Sequence, residues 1–499
     1  MSEVIHTADG AVKGVAQGDA VAFLGIPFAR PPVGDLRWRA PEPPQPWANV
    51  RMADRFGANC PQPDLSMFGL PYKPVSEDCL FINVWAPKGA AGKKLPVMVW
   101  IHGGAYIQGS GDLDDTSAFT RDGVVFVSFN YRVGRLGFLA HPALTAEMPD
   151  GPLGNYGFLD QVLALKWVQA NIAKFGGDPG NVTIFGVSAG GTFTNLHMYS
   201  PLSRGLFHRA IAQSDPFFQP WSYMASLRRS DGPPAETFGD RWATSLGLAN
   251  ATSAQLRAIP YEKSVVGPME ANVAQVKPII DGEILPDRGP EAFAAGLAAN
   301  VPYIIGATSY EGSLTAIYAM DPSPLIAALG DNAEAVLKAY GPEVAQNPSL
   351  LGAALTGDSS YFVPRRTAAR LAYGHGIPTR AYHFAYVAEE LRGKVPGAAH
   401  GSEIPYLFEF FKRSLMDAYD PTPADKQMAK VVHAYWVNFA RTGDPNGPGL
   451  PAWPQFAAGD EQYLVFNESG GAQAVKELDH YRLDLVEPGV VERRFWPVS

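Results

Sequence analysis

Cysteine is nearly absent: two residues, Cys60 and Cys79, in a chain of 499. That rules out a disulfide-dense secreted scaffold, and no zinc-ligand spacing occurs. The pair itself admits two readings, either two buried thiols or one disulfide closing a loop of about 20 residues, worth about 3 kcal/mol. Charge is also sparse. Asp, Glu, Lys and Arg make up 18% of the chain, and 49 acidic against 40 basic residues leave a net charge of −9. There is no long basic run, so nothing favours nucleic acid or an anionic membrane as partner. Long apolar runs are missing too. "LPVMVWI" and "VVFVSF" are strand-length, short of the roughly 18 residues a membrane helix requires. The opening "MSEVIHTADGAVKG" lacks the basic start and apolar core of a signal peptide. As numbered, the chain is expected in the cytoplasm, or in the periplasm or medium if a signal was removed.

What is present is a globular, enzyme-like composition: 46% hydrophobic residues, with 51 Gly and 44 Pro that imply many loops. "TADGAVKG" and "AVAFLGIPFA" read as N-terminal β-hairpins. "LFINVWAP" alternates and stops at Pro87, while "LPVMVWIHGG" and "GVVFVSFNYR" are continuous apolar runs, as central strands buried on both faces require. "GFLDQVLALKWVQANIAKFGG" has helical spacing and ends at Gly176-Gly177. Strands and helices alternate to about residue 215, which predicts an α/β chain with a largely parallel central sheet. Helix-rich insertions are expected over roughly 216–300 and 315–375. A long helix follows over "DKQMAKVVHAYWVNFART", then a strand at "YLVFN". One domain over 1–499 fits this pattern better than two.

Chemistry concentrates at "VTIFGVSAGGTF". Gly186-Val187-Ser188-Ala189-Gly190 matches G-x-S-x-G with a strand before it and a helix after it, the context that gives the motif meaning. Such a turn projects the serine hydroxyl and aims free helix N–H groups at a developing oxyanion. The bland alternative is a glycine-lined turn that serves packing only. A serine needs a base, and the base needs an orienting acid, in the chain order Ser, acid, His. Five histidines follow residue 311. His383 lies in a strand pattern and His433 in an amphipathic helix pattern, both suited to packing; His375 and His480 sit in surface-like sequence. His400, in the small-residue stretch "GAAHGSEIPYLF", suits a loop-borne imidazole. Glu311, in "IIGATSYEGS", follows an apolar strand, where α/β sheets place chemistry, although a solvated loop carboxylate is the commoner fate of a glutamate. "WIHGGAYIQGSG" offers backbone N–H groups that glycines let approach a substrate, and Ala189 adds another.

Together these pieces resemble the type-B carboxylesterase family, which includes bacterial para-nitrobenzyl esterases, mammalian carboxylesterases and cholinesterases. "FLGIPFARPPVGDLRW", "SEDCLFINVWAP", "HGGAYIQGSG", "NYRVGRLGFL", "GNYGFLDQVLALKWVQANIAKFGGDPGNVTIFG" and "FARTGDPN" occur in the family's order over nearly the whole chain. The resemblance implies an α/β-hydrolase fold with helical cap insertions. It implies Ser188 as nucleophile, Glu311 as acid and His400 as base, with an oxyanion hole on the N–H groups of Gly104, Ala105 and Ala189. It also implies a Cys60–Cys79 disulfide, and structural ion pairs Arg37–Glu77 and Arg132–Asp160. No metal or organic cofactor is called for. The partner is a small-molecule ester, and the chain is expected to be a monomer or a weak homo-oligomer.

Two positions depart from the family. Val187 stands where Glu is usual, removing a negative charge and a hydrogen bond beside the triad, so slower turnover and weaker preference for cationic substrates are expected. Asp215 follows Gln213-Ser214 where Gly is common; it either replaces the lost charge near the pocket or faces solvent. Aromatic stretches "SMFGLPY", "DPFFQPWSYM", "TAIYAM", "SSYF" and "LFEFF" suit small to medium hydrophobic or aryl esters. A catalytically dead binding or adhesion relative is the alternative from another class. A lipase is the third reading, with no evident amphipathic lid to favour it.

Overall fold

The computed structural model describes residues 4–64, 73–148, 151, 153–218, 221–228, 232–267, 276–313, 321–411, 419–468, 470–476 and 478–492. The chain divides into two compact units, one built from Met1–His208 and Trp221–Asp287, the other from Arg209–Pro220 and Arg288–Val498.

The first unit carries nine strands: β1 (Val4–His6), β2 (Ala11–Lys13), β3 (Val15–Gln17), β4 (Ala20–Pro27), β5 (Arg51–Met52), β6 (Phe81–Pro87), β7 (Leu95–Ile101), β8 (Val125–Phe129) and β9 (Gly177–Val187). The expected N-terminal hairpins form as the antiparallel pairs β1–β2 and β3–β4. The larger sheet of this unit runs β9-β7-β8-β6-β4-β3. β7 pairs in parallel with both β8 and β9, and the remaining pairs are antiparallel. Register aligns Val97 with Val125 and Val182, and Val99 with Val127 and Ile184. All six side chains are fully buried, each worth about 1.5–3 kcal/mol over exposure. That is why these runs read as unbroken apolar sequence rather than alternating. The β7–β9 register slips between Leu95 and Val97, where β9 carries Asp178-Pro179-Gly180-Asn181. Proline cannot donate to the ladder, so the strand bulges there.

The helix Tyr156–Asn171 leaves only Lys166 and Ala170 exposed. A helix apolar nearly all round belongs inside a layered fold. It ends through a 3₁₀ turn at Gly176, whose φ of 87° is left-handed and whose absent Cβ would meet the Ala90 carbonyl oxygen at 2.2 Å. The Cys60–Cys79 disulfide is formed. The two ion pairs are also present: Arg37 donates to Glu77 from two nitrogens, and Arg132 grips both oxygens of Asp160 in a fully buried pair.

The second unit carries β10 (Arg209–Gln213), β11 (Tyr303–Thr308), β12 (Thr379–Phe384), β13 (Gln462–Phe466) and β14 (Ala472–Lys476), in that spatial order. The first three pairings are parallel and the last is antiparallel. β11 and β12 are buried along their whole length. Gly306 lies opposite Tyr382, and a Cβ there would strike the ring at 2.0 Å. The long helix Pro423–Thr442 starts two residues before the expected stretch. Thr422 and Asp425 form a capping box, Pro423 takes the first helical position, and left-handed Gly443 closes the end. Among the described residues no helix is long and apolar enough to cross a membrane.

Candidate active site

In the first unit, β9 delivers Ser188 at its C-terminal end. Ser188 sits at φ 60°, ψ −125°, and the helix Ala189–Tyr199 begins at the next residue. That backbone is strained for a residue with a Cβ, and it presents the side chain at the tip of the turn. The motif's glycines have a steric cause. A Cβ on Gly186 or Gly190 would meet the Ile101 carbonyl oxygen at 2.3 or 2.1 Å. β7 continues past Ile101 into the loop Gly103–Tyr106. A Cβ on Gly103 would meet the Val187 oxygen at 2.6 Å, so loop and elbow touch through backbone. Gly104, Ala105 and Tyr106 follow with φ of 111°, 53° and 66°, a left-handed run that turns successive N–H groups to one side. Ala105 is exposed. Ala189, as the first helical residue, has no acceptor one turn back. Thr192 donates to the Ser188 carbonyl at 2.9 Å from its N–H, and the Tyr106 hydroxyl reaches the Thr192 hydroxyl at 3.2 Å. These bonds tie the loop to the helix.

His102, just before the glycines, is buried and stacks on Tyr131 at 4.0 Å between ring centroids. Burial lowers its pKa to about 4, against opposing contributions from the Gly103 carbonyl and the Asp112 charge. It is therefore neutral at working pH, and its Nδ1 lies 2.9 Å from the Gly103 oxygen.

In the second unit, Glu311 and His400 meet. The turn after β11 carries Glu311, and a Cβ on the adjacent Gly312 would meet the Ala353 carbonyl oxygen at 2.0 Å. Glu311 is 1% exposed. One carboxylate oxygen accepts from the Ser214 hydroxyl and the Thr308 N–H, both at 2.6 Å; the other lies 2.5 Å from His400 Nδ1. The loops bearing Glu311 and His400 are stitched together. Tyr310 donates to the Ala398 carbonyl, Ala398 donates to the Ser309 hydroxyl, and the His400 N–H donates to the Ser313 hydroxyl. Burial pulls the His400 pKa down, but the charge and hydrogen bond of Glu311, with the charge of Glu403, outweigh it and raise the imidazole above 6.5. Among the described residues, His400 Nε2 is buried with no hydrogen-bond partner. A π-helical turn at Asp358–Phe362 sets the Tyr361 ring 5.4 Å from the imidazole.

The other histidines fall as expected: His383 and His433 are buried in a strand and a helix, and His375 and His480 lie near the surface. Val187 is half-buried at the strand end. Asp215 is buried, so its solvent-facing alternative is set aside. Ser214, at φ 50°, donates its hydroxyl to Glu311. Of the aromatic stretches expected to line the pocket, "SMFGLPY" (66–72) and "TAIYAM" (315–320) lie outside the described residues.

Glu403 was missed. It is fully buried, accepts from Gln213 and Tyr382 through one oxygen, and has no partner for the other among the described residues. Burial and the Glu311 charge raise its pKa to about 7, against hydrogen bonds and His400. Its only signal in the sequence is its place three residues after His400.

A carboxylesterase family profile matches residues 1–338 and 343–483. The chain is 37% identical over 489 residues to fumonisin B1 esterase of Sphingopyxis macrogoltabida, covering 95% of this chain and 88% of that one. It is 37% identical over 484 residues to carboxylesterase 3B of Mus musculus, covering 89% and 81%. A solved PNB esterase superposes with a TM-score of 0.82 at 29% identity, over 97% of this chain and 99% of that one. The fold is the α/β-hydrolase fold.

Proposed function

We propose a residue-level mechanism from one premise: this chain belongs to the carboxylesterase family and is a carboxylic ester hydrolase. Ser188 is the nucleophile, His400 its general base and Glu311 the group that orients the imidazole. The observation that carries this assignment is the strained Ser188 turn packed backbone-to-backbone against the Gly103–Tyr106 loop. The Glu311–His400 bond, with Nε2 left unpartnered, supports it from the other side.

His400 Nε2 takes the Ser188 proton as Oγ attacks the ester carbonyl. The tetrahedral oxyanion is held by the N–H groups of Gly104, Ala105 and Ala189. The imidazolium then protonates the departing alcohol, leaving an acyl group on Ser188, and water attacks that acyl-enzyme by the same route. Glu311 selects the Nδ1–H tautomer and stabilises the imidazolium. The preferred esters are small to medium, hydrophobic or aryl; the Tyr361 ring beside His400 supports this choice. The chain acts alone or as a weak homo-oligomer. The formed disulfide favours the periplasm or medium over the cytoplasm.

The test is a burst of nitrophenol from a nitrophenyl ester. Ser188→Ala is expected to remove the burst and lower kcat by about 10⁴-fold or more. A retained burst in that variant would assign the chemistry elsewhere.

A further inference from the structure

The described start of the loop closed by Cys60 and Cys79 bonds to Gly109, and one side chain makes the contact. Gln62 lies two residues after Cys60. Its Oε1 accepts from the Gly109 N–H at 2.8 Å, and its Nε2 donates to the Gly109 carbonyl at 3.1 Å. Nε2 also donates to the Cys60 carbonyl at 3.1 Å, so the amide joins the disulfide to Gly109 directly. Gly109 is no ordinary loop residue. At φ 109° it packs so closely that a Cβ would meet His102 Nδ1 at 2.3 Å and the Gly103 oxygen at 2.5 Å. Any drift of Gly109 therefore moves the peptide that precedes the Gly104 and Ala105 donors. Supporting bonds surround this contact. Lys73 pairs with Asp112 at 2.6 Å. Asn130 accepts from the Gly111 N–H and donates to the carbonyls of Ala58, two residues before the bridge, and of Cys79.

We propose that the Cys60–Cys79 disulfide positions the oxyanion loop through Gln62, making Gln62 a positioning residue for ester hydrolysis. The proposal rests on the oxyanion assignment above. Gln62 touches no reacting atom. It bonds both backbone groups of Gly109, and Gly109 packs closely against the Gly103 carbonyl. A shift of about 1 Å in a catalytic donor costs up to about 100-fold in rate.

The test uses the full chain and para-nitrophenyl acetate, with Ser188→Ala as the control for the underlying reading. Gln62→Ala and Gln62→Glu are assayed well below their own melting temperatures; the second keeps the acceptor for Gly109 and loses the donors. Gln62→Ala is expected to lower kcat at least about tenfold with KM nearly unchanged, and Gln62→Glu to fall between it and wild type. A Cys60→Ser/Cys79→Ser chain is expected to lose kcat as well, and adding Gln62→Ala to it is expected to cost little more. Wild-type kcat in both Gln62 variants, a loss confined to KM, or fully additive losses in the combined variant would overturn the proposal. Wild-type hydrolysis in Ser188→Ala would instead overturn the reading of Ser188 as nucleophile on which the oxyanion assignment depends, whatever Gln62 does.

Discussion

At the end of β9 position comes from exclusion: a Cβ on Gly186 or Gly190 would lie 2.3 or 2.1 Å from the Ile101 oxygen. Around His400 position comes from pairing: Ser214, Thr308 and His400 all bond Glu311, and Ser309 and Ser313 bond the loop that carries His400. The first arrangement is insensitive to proton concentration. The second includes His400, whose pKa Glu311 and Glu403 raise against burial. The two halves of the proposed site should therefore fail in different ways.

The largest expected effect breaks the paired half. Glu311→Gln keeps the shape but lets the imidazole take the wrong tautomer, so kcat should fall by about 10⁴-fold with little change in melting temperature. A variant within tenfold of wild type would remove Glu311 from its role. Next, Gly190→Ala attacks the excluded half. Overpacking against β7 should cost about 3 kcal/mol in denaturant midpoint analysis, and the deficit should be the same at pH 6 and pH 8. A deficit that changes with pH would show that the contrast between the halves is misplaced.

A third test sharpens the contrast through pH. His400 has a folded pKa raised above 6.5, so its stabilising charge is fully present below 6.5 and is lost as pH rises through the folded value. As the proposed base, His400 must be neutral to act, so activity is expected to appear as that stability disappears. Glu403, raised from 4.5 to about 7, likewise contributes stability below 4.5 that is lost as pH rises through about 7. Glu403→Gln removes the charge that helps hold the His400 proton. The acid limb of kcat/KM should move to lower pH, and the fall in melting temperature between pH 4.5 and 7 should flatten. An unmoved acid limb would mean that Glu403 does not act on His400. The smallest effect is expected from Val187→Glu, which restores a charge beside Ser188. Turnover should rise a few-fold and cationic esters should gain relative to neutral ones; unchanged kinetics would make the valine neutral.

Much of this was legible beforehand because its causes are local. The buried strands announce themselves as unbroken apolar runs and the long helix by its pattern, although its threonine cap and proline start lie before the stretch expected. The helix Tyr156–Asn171 reads correctly as a helix, but its burial on nearly every side depends on neighbours that no periodicity reveals. Asp215 looked equally suited to solvent or interior, because a single carboxylate carries no sign of what will cover it. Glu403 and Gln62 passed without a role for the same reason.

The sequence alone determined the main strands and helices and the glycine-walled turn at Ser188, since apolar runs and backbone sterics act over a few consecutive residues; the left-handed run Gly104–Tyr106 came only with the structure. Only the tertiary structure decided that Ser214 holds Glu311 across 97 positions, that His400 meets it across 89, and that Gln62 grips Gly109 across 47. Those bonds depend on which loop ends arrive together, and that is set by strand order and register rather than by any one segment's composition.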